Sequence, residues 1–374
     1  MRFDVSSTAL LSRLQSISKV IASKNSLPIL DSFLFQLEEN MLTITASDAE
    51  TRLVTSVEVM NAQGGGLFAV SAKILIDPLK ELPEQPLTFD INDENLEIFI
   101  RFQNGKYNFI GQKGDTYPSQ KPLGDNAVSI HLDAQILLNG ISRSLFATAD
   151  DELRPVMNGI YFDIHTDDLT FVASDGHKLV RFCNTAVQSP CRASFILPKK
   201  SANLLKGLLA KEEGAIQIRF DDNNVYVHCA NFEMISRLIE GRYPNYNSVI
   251  PQENPFKVTI DRIAIMTALK RVSLFSNQAI SLVKLHLKEN MMVVSAQDID
   301  FSTSAEEKIM CSYEGVELKI GFKATFLIEI LNNIHSEEVV LELADPSRAG
   351  VIVPSENEEN ENLLMLLMPM MLND

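Results

Sequence analysis

Apolar residues recur along this chain with two periods. Leu10, Leu14 and Ile17 fall at helical spacing just after Ser6, as do Leu137, Ile141 and the small Ser144 after Asp133, and Ile265, Leu269 and Val272 after Asp261. Spacing of three to four residues places each trio on one face of an α-helix. Ser6, Asp133 and Asp261 suit the N-cap, because a side-chain oxygen there accepts from a free first-turn amide. Short alternating runs precede the caps, ending in FDVS from Phe3, IHLD from Ile130 and VTID from Val258. Alternating pairs follow, such as 32–37 with 42–45 and 159–164 with 169–173, and predict half-buried strands. Each third then repeats the strand-to-helix step, at FAVSAK from Phe68, FILPKK from Phe195 and LKIGFK from Leu318. More strands come after it, at 87–91 with 96–102 and 215–220 with 225–228.

The thirds are copies of one another. LTITASDAETRL from Leu42, FVASDGHKLVR from Phe171 and MVVSAQDIDF from Met292 align on Asp48, Asp175 and Asp298, with steps of 175 − 48 = 127 and 298 − 175 = 123. Lys73, Lys200 and Lys323 keep the same register. A period of this size is that of a whole domain rather than of a solenoid repeat. We therefore expect an α+β chain of three similar domains, 1–126, 127–253 and 254–374, each built from two strand–helix–strands units. GDTYPSQKP from Gly114 and the stretch from GRYPNY at Gly241 to PQENP at Pro251 close the first two. Gly64, Gly65 and Gly66 read as a loose hairpin tip, and SENEENEN from Ser355 as a solvated loop.

The polar faces of the three leading helices carry no acid at the aligned positions. Ser12 and Ser16 match Asn139 and Arg143, then Thr267 and Arg271, with Lys19 and Lys270 on the same side. Elsewhere acids dominate: 49 Asp and Glu against 33 Lys and Arg give a net charge of −16. That balance argues against a tight sequence-specific nucleic-acid binder. A face kept free of negative charge in such a chain suits a polyanion passing close by, with Arg143 and Arg271 among its contacts. Cys183, Cys191, Cys229 and Cys311 form no CxxC pair and read as buried, reduced thiols of a cytoplasmic protein. No run reaches the ~18 apolar residues of a membrane span.

Catalytic motifs are missing. There is no HExxH, GxSxG, P-loop or zinc-spaced Cys/His set, so no catalytic residue, metal or cofactor is assigned. His177 beside Asp175 reads as a turn residue rather than half of an acid–base pair. Asp150, Asp151 and Glu152 read as a loop before Arg154 and Pro155. A hydrolase or nuclease using Asp175 and His177 is the rival from another class, and a chain that serves purely as a repeat scaffold is a second.

With the threefold repeat, LPIL from Leu27, RPVMNG from Arg154, ASDGHKL from Ala173, GRYPNY from Gly241 and the terminal MPM from Met368 in hand, the chain resembles the bacterial sliding clamps, the β subunits of DNA polymerase III. The resemblance runs from Met1 to the last few residues. It implies a non-catalytic processivity factor: a head-to-tail homodimer forming a closed ring around duplex DNA, with helices inside and sheets outside. DNA would be held loosely and without sequence preference by Lys24, Lys73, Arg154, Lys199 and Lys200. The replicative polymerase subunit, the clamp loader, other polymerases and repair proteins would dock by short peptide motifs. The wall of that cleft would come from Met157, from the turn Ser174, Gly176, His177, Lys178 and Leu179, from Pro244 and Val249, and from Leu366, Leu367, Met368, Pro369 and Met370. A Met-rich cleft suits many partners because it repacks easily. Leu274 and Phe275 match the family's apolar interface pair and would face first-domain residues around Lys106. Ser248 and Met371 stand where many members carry arginine.

Overall fold

In the computed structural model, which describes residues 1–119, 122–124 and 126–372, the expected helices form as α1 (Ser7–Ile17), α2 (Ala72–Lys80), α3 (Ala134–Ser144), α4 (Lys199–Leu209), α5 (Arg262–Val272) and α6 (Ala324–Asn332). The caps work as their chemistry requires. Ser6 Oγ accepts from the Ala9 amide at 3.3 Å, Asp133 Oδ1 from Gln135 at 2.8 Å and Asp261 Oδ1 from Ala264 at 2.6 Å. The trios that set the helical period are all fully buried, Ser144 included. α3 sits so close over the core that a Cβ on Gly140 would run into the Phe171 ring.

The chain divides into two compact units. The first takes in Met1–Gln135 and Asn203–Leu238, the second Ile136–Ala202 and the chain from Ile239 onwards. The first holds two antiparallel sheets. One has five strands in the order Met60–Gln63, Arg2–Ser6, Pro86–Ile91, Glu97–Phe102, Gly105–Ile110. The other has nine, and its middle joins Thr51–Glu58 to Glu233–Arg237 edge to edge. Phe3 stacks on Phe89 with centroids 4.8 Å apart, and Phe35 on Phe68 at 5.2 Å, so aromatic pairs fill the space behind both sheets.

The second unit repeats the plan with an eight-stranded and a four-stranded sheet. In the larger, Lys178–Asn184 pairs antiparallel with the last strand, Glu361–Leu367, residue for residue from Lys178 opposite Leu367 to Asn184 opposite Glu361. The smaller runs in the order Thr303–Met310, Met291–Asp298, Leu282–Lys288, Leu318–Lys323. Phe162 and Phe195, on paired strands of the larger sheet, stack at 4.4 Å.

The aligned aspartates have one shared job. Each ends a strand, and its Oδ1 accepts the amides two and three residues on. For Asp48 these are Glu50 and Thr51, at 2.7 and 2.6 Å; for Asp175, His177 and Lys178, at 2.8 and 2.9 Å; for Asp298, Asp300 and Phe301, at 3.0 and 3.3 Å. A side chain that mimics a turn in this way is why aspartate recurs at the domain period.

Three expectations are corrected. Gly64 and Gly65 are no hairpin tip: Met60–Gln63 lies in the five-stranded sheet and Gly66–Ser71 in the nine-stranded one, so the glycines carry the chain from sheet to sheet. Of the cysteines, only Cys229 is buried, its thiol pushed up to about 12 by burial, while Cys183 and Cys311 are half-buried and Cys191 is exposed. Residues 355–360 are solvated as expected, but Glu361 and Asn362 begin the last strand. Gln120 and Lys121, within the stretch read as closing the first domain, lie outside the described residues.

Candidate functional site

The first unit contains a cavity of about 1270 Å3 walled by α1, α2, the end of α4 and the strand Thr51–Glu58. Ser12, Ser16 and Lys19 of the α1 polar face line it, as does Lys73 from the first turn of α2. Arg13, Lys80 and Lys211 join them, so five cations face three acids, Glu58, Asp77 and Glu212. In a chain with a net charge of −16, this local excess of cations singles out the cavity as an anion-attracting surface. Lys24 is exposed in the bend beyond α1 and is not part of the wall. Arg13, Lys80 and Lys211 were missed in the sequence because none aligns with a cation in the other thirds.

In the second unit the basic residues have acidic company. Arg154 Nε meets Asp151 Oδ2 at 2.8 Å, and Lys199 Nζ meets Asp150 Oδ2 at 2.5 Å, so the carboxylates of that loop hold cations of the chain itself. Lys200, one residue on, is exposed. Arg271 is exposed and bidentate on Glu307 at 2.8 and 2.6 Å, an acid brought in by the neighbouring strand. Arg143 departs from its expected place on an open face. It is 7% exposed, with its guanidinium between the Asn333 carbonyl, Glu358 and Glu361 and 5.9 Å over the Phe182 ring. Asn139, one turn earlier, reaches Glu361 Oε1 at 3.4 Å. The cause is the segment 355–361, which packs on α3 from more than 200 positions away and supplies the acids its own face lacks.

The cleft residues come together around the 174–178 turn. Ser174 Oγ donates to the Lys178 carbonyl at 2.8 Å and accepts the Gly176 amide at 3.1 Å. Gly176 has φ +89°, and a Cβ there would sit 2.9 Å from Arg154 Nη1. Only glycine adopts that conformation cheaply. Met368 N donates to the His177 carbonyl at 2.8 Å and Met370 N to Gly321 at 2.8 Å, which pins the C-terminal segment alongside the turn.

Lys178 is 5% exposed and reads as part of the scaffold. Its ammonium pairs with Asp175 at 2.8 Å and Glu329 at 3.1 Å and lies 4.1 Å over the Phe326 ring. Burial alone would raise the Asp175 carboxyl; Lys178 and the amides of Lys178 and His177 outweigh it and hold the group below its usual range. The His177 ring is exposed and stacks on Phe326 at 6.0 Å.

Beneath the turn, Leu179 and Leu366 belong to one apolar cluster with Val172, Ile196, Tyr243, Tyr246 and Ala349. Tyr161 stacks on Tyr243 at 4.7 Å and 5°, and Tyr246 donates to Asp163 Oδ2 at 2.8 Å. Burial, with that bond to Asp163, keeps the Tyr246 phenol protonated far above its ordinary range. Met157, Ser174 and Leu367 lie in the interior, while Gly176, His177, Pro244, Val249 and Met368 are exposed above it and Pro369 and Met370 half-buried. The tyrosines and Phe326 were not singled out from the sequence. GRYPNY contained the signal, since aromatics three apart around a proline can only share a floor if the loop folds back on itself.

Leu274 and Phe275 close the short turn after α5 and are exposed, as is Lys106 in the first unit on Gly105–Ile110, the edge strand of its sheet. Ser248 Oγ bonds the Asn245 carbonyl at 2.6 Å, and Met371 is exposed.

Comparison with known proteins places this geometry. Family models of the DNA polymerase III beta subunit match in order: the N-terminal domain over 1–121, the central domain over 131–245 and the C-terminal domain over 247–371. The beta sliding clamps of Haemophilus influenzae and Proteus mirabilis are 28% and 29% identical, each alignment covering 100% of both chains. A sliding clamp of Pseudomonas aeruginosa solved with griselimycin superposes with a TM-score of 0.94 at 26% identity, and the beta subunit of Thermotoga maritima with 0.90 at 25%, again over 100% of both chains. Matched across all three domains in sequence, the chain belongs to the DNA polymerase III beta subunit family.

Proposed function

We propose that this chain is a DNA sliding clamp: two copies join head to tail into a closed ring that encircles duplex DNA and tethers the replicative polymerase to it. The observation that carries the reading is the match, in order, of three successive clamp domains to a chain whose turns and helices repeat at the same period. The chain catalyses nothing itself; it makes a polymerase processive. Phosphates would face Lys24, Lys73, Arg154, Lys199 and Lys200, with Arg13, Lys19, Lys80 and Lys211 around the cavity in support. The pairing of Arg154 and Lys199 with Asp151 and Asp150 favours weak, exchangeable contact, since phosphates must compete with acids already in place.

The partner peptide would lie over the Leu179–Leu366 floor, between the 174–178 turn, Pro244, Val249 and Met368–Met370. Closure of the ring would join the open edge strands Gly105–Ile110 of one copy and Thr303–Met310 of the other, beside Leu274 and Phe275. We place the protein in the cytoplasm, where bacterial DNA is copied.

The test is topological. Loaded on nicked circular DNA, the protein should stay through a high-salt wash, and it should be lost within minutes once the circle is cut. Lys24→Glu, Lys73→Glu and Lys200→Glu together should weaken loading several-fold and leave the dimer intact. Retention on linear DNA with free ends would overturn the sliding ring.

A further inference from the structure

The turn, the proline loop and the strand end that make the partner cleft recur one domain earlier, inside the first unit. Tyr117 and Pro118 follow GDT there as Tyr243 and Pro244 follow GR. Thr51–Glu58 pairs with Glu233–Arg237 as Lys178–Asn184 pairs with Glu361–Leu367, and Arg52 is opposite Ile235 where Leu179 is opposite Leu366. The Arg237 amide donates to the Glu50 carbonyl at 2.9 Å, matching Met368 and His177 at 2.8 Å. Ile29, Leu34, Ala69 and Tyr117 share a buried cluster. Their counterparts Val156, Tyr161, Ile196 and Tyr243 pack together under the cleft.

The two floors differ at a central position. Ile235 keeps an apolar group in the place of Leu366, but Arg52 stands in the place of Leu179. Its guanidinium lies 5.9 Å over the Tyr117 ring, and its Nη1 donates to the Pro118 carbonyl at 3.0 Å, tying the strand to the proline loop. Arg52 Nε is buried with no hydrogen-bond partner among the described residues. Burial holds the group below the ordinary arginine range, although Tyr117, Tyr226 and Glu233 face it. The rim departs as well. Glu50 and Arg237, in the places of His177 and Met368, are exposed and 4.0 Å apart. A surface pair of that kind is worth little, whereas burying a cation without a partner is costly.

We infer that the first unit carries a second cleft of the same design, closed to apolar peptides by Arg52, so that each chain takes one partner peptide and not two. An apolar anchor laid on this floor would strip water from the cation and offer nothing in return. It would also have to break the Arg52–Pro118 bond, which joins two walls of the groove. An uncompensated charge of this kind is how a site rejects a ligand that its shape would otherwise admit. The inference rests on the cleft reading above and goes beyond it by making Arg52 the residue that fixes the stoichiometry.

The experiment is isothermal titration of the full chain, held well above the dissociation constant, with a peptide carrying a glutamine followed by apolar and aromatic anchors. The wild type should saturate at one peptide per chain and Arg52→Leu at two. Arg52→Met, which keeps the stem's length without the charge, is titrated alongside so that a fold disturbed by the branched side chain does not decide the result. In a chain truncated after Leu367, which has lost one wall of the first cleft, Arg52→Leu should restore binding that the truncated parent lacks. A further variant adds Glu50→His and Arg237→Met to Arg52→Leu. One peptide per chain for every variant would overturn the inference. Two peptides only with the rim changes would move the block from Arg52 to the rim and overturn its assignment, and two on the wild type would show the second cleft already open. No binding to the wild type would instead remove the cleft reading, and the inference would fall with it.

Discussion

Asp175 shows how much one side chain settles. It shapes the turn, anchors the buried Lys178 and fixes the height at which His177 meets Met368. Its carboxyl titrates below the ordinary aspartate value of about 3.9. The stability it contributes is therefore complete above that value and is lost as pH falls through the lower folded one. Asp175→Asn keeps an acceptor for the amides but removes the charge facing Lys178. It should lower Tm by a few degrees at pH 7, and the gap from wild type should close in acid below pH ~4; a gap that widened there would refute the assignment. That aspartate mattered was legible from its recurrence at 48, 175 and 298. That Arg143 is covered was not, because Glu358 and Glu361 lie far along the chain and no local pattern encodes their approach.

At the scale of elements, the helices were readable since an apolar stripe of period 3.6 and a cap are local properties, fixed before any tertiary contact forms. Strand existence was readable for the same reason, by alternation, whereas strand partnership was not. The glycines at 64 and 65 were misread as a tip because the partner of Met60–Gln63 is the first strand of the chain, not the next one. The last strand shows what the distinction means for function. Glu361–Leu367 is paired on both sides, to Lys178–Asn184 and to Gly350–Pro354, while the residues beyond it touch the turn and Gly321 by single bonds. Truncation after Leu367 should leave that sheet and the dimer intact and remove one wall of the cleft. A peptide with a glutamine followed by apolar and aromatic anchors should bind the full chain at micromolar strength, since a ring burying ~150 Å2 at about 25 cal/mol per Å2 gives several kcal/mol before ordering costs. Fluorescence anisotropy should show that binding lost in the truncated chain. Equal affinities would take the C-terminus out of the site.

Over the whole molecule, the period was the readable quantity, and it identified three domains of one kind. What it concealed is that the sheets ignore the joints between them. Thr51–Glu58, in the segment matched by the N-terminal model, is laddered to Glu233–Arg237 in the central one, and Lys178–Asn184 to Glu361–Leu367 in the C-terminal one. Such pairings form between residues some 180 positions apart and leave no trace in composition. The connecting peptides at 118–127 and 250–255 are thus not what keeps the three segments together. A protease site placed in either connection, once cut, should leave a protein that runs as the intact chain on a native column and separates into pieces only in denaturant; release of a free fragment would argue otherwise. In engineering terms the backbone is redundant at its own joints: this subunit could be made as two separately expressed polypeptides, yet not as three interchangeable cassettes.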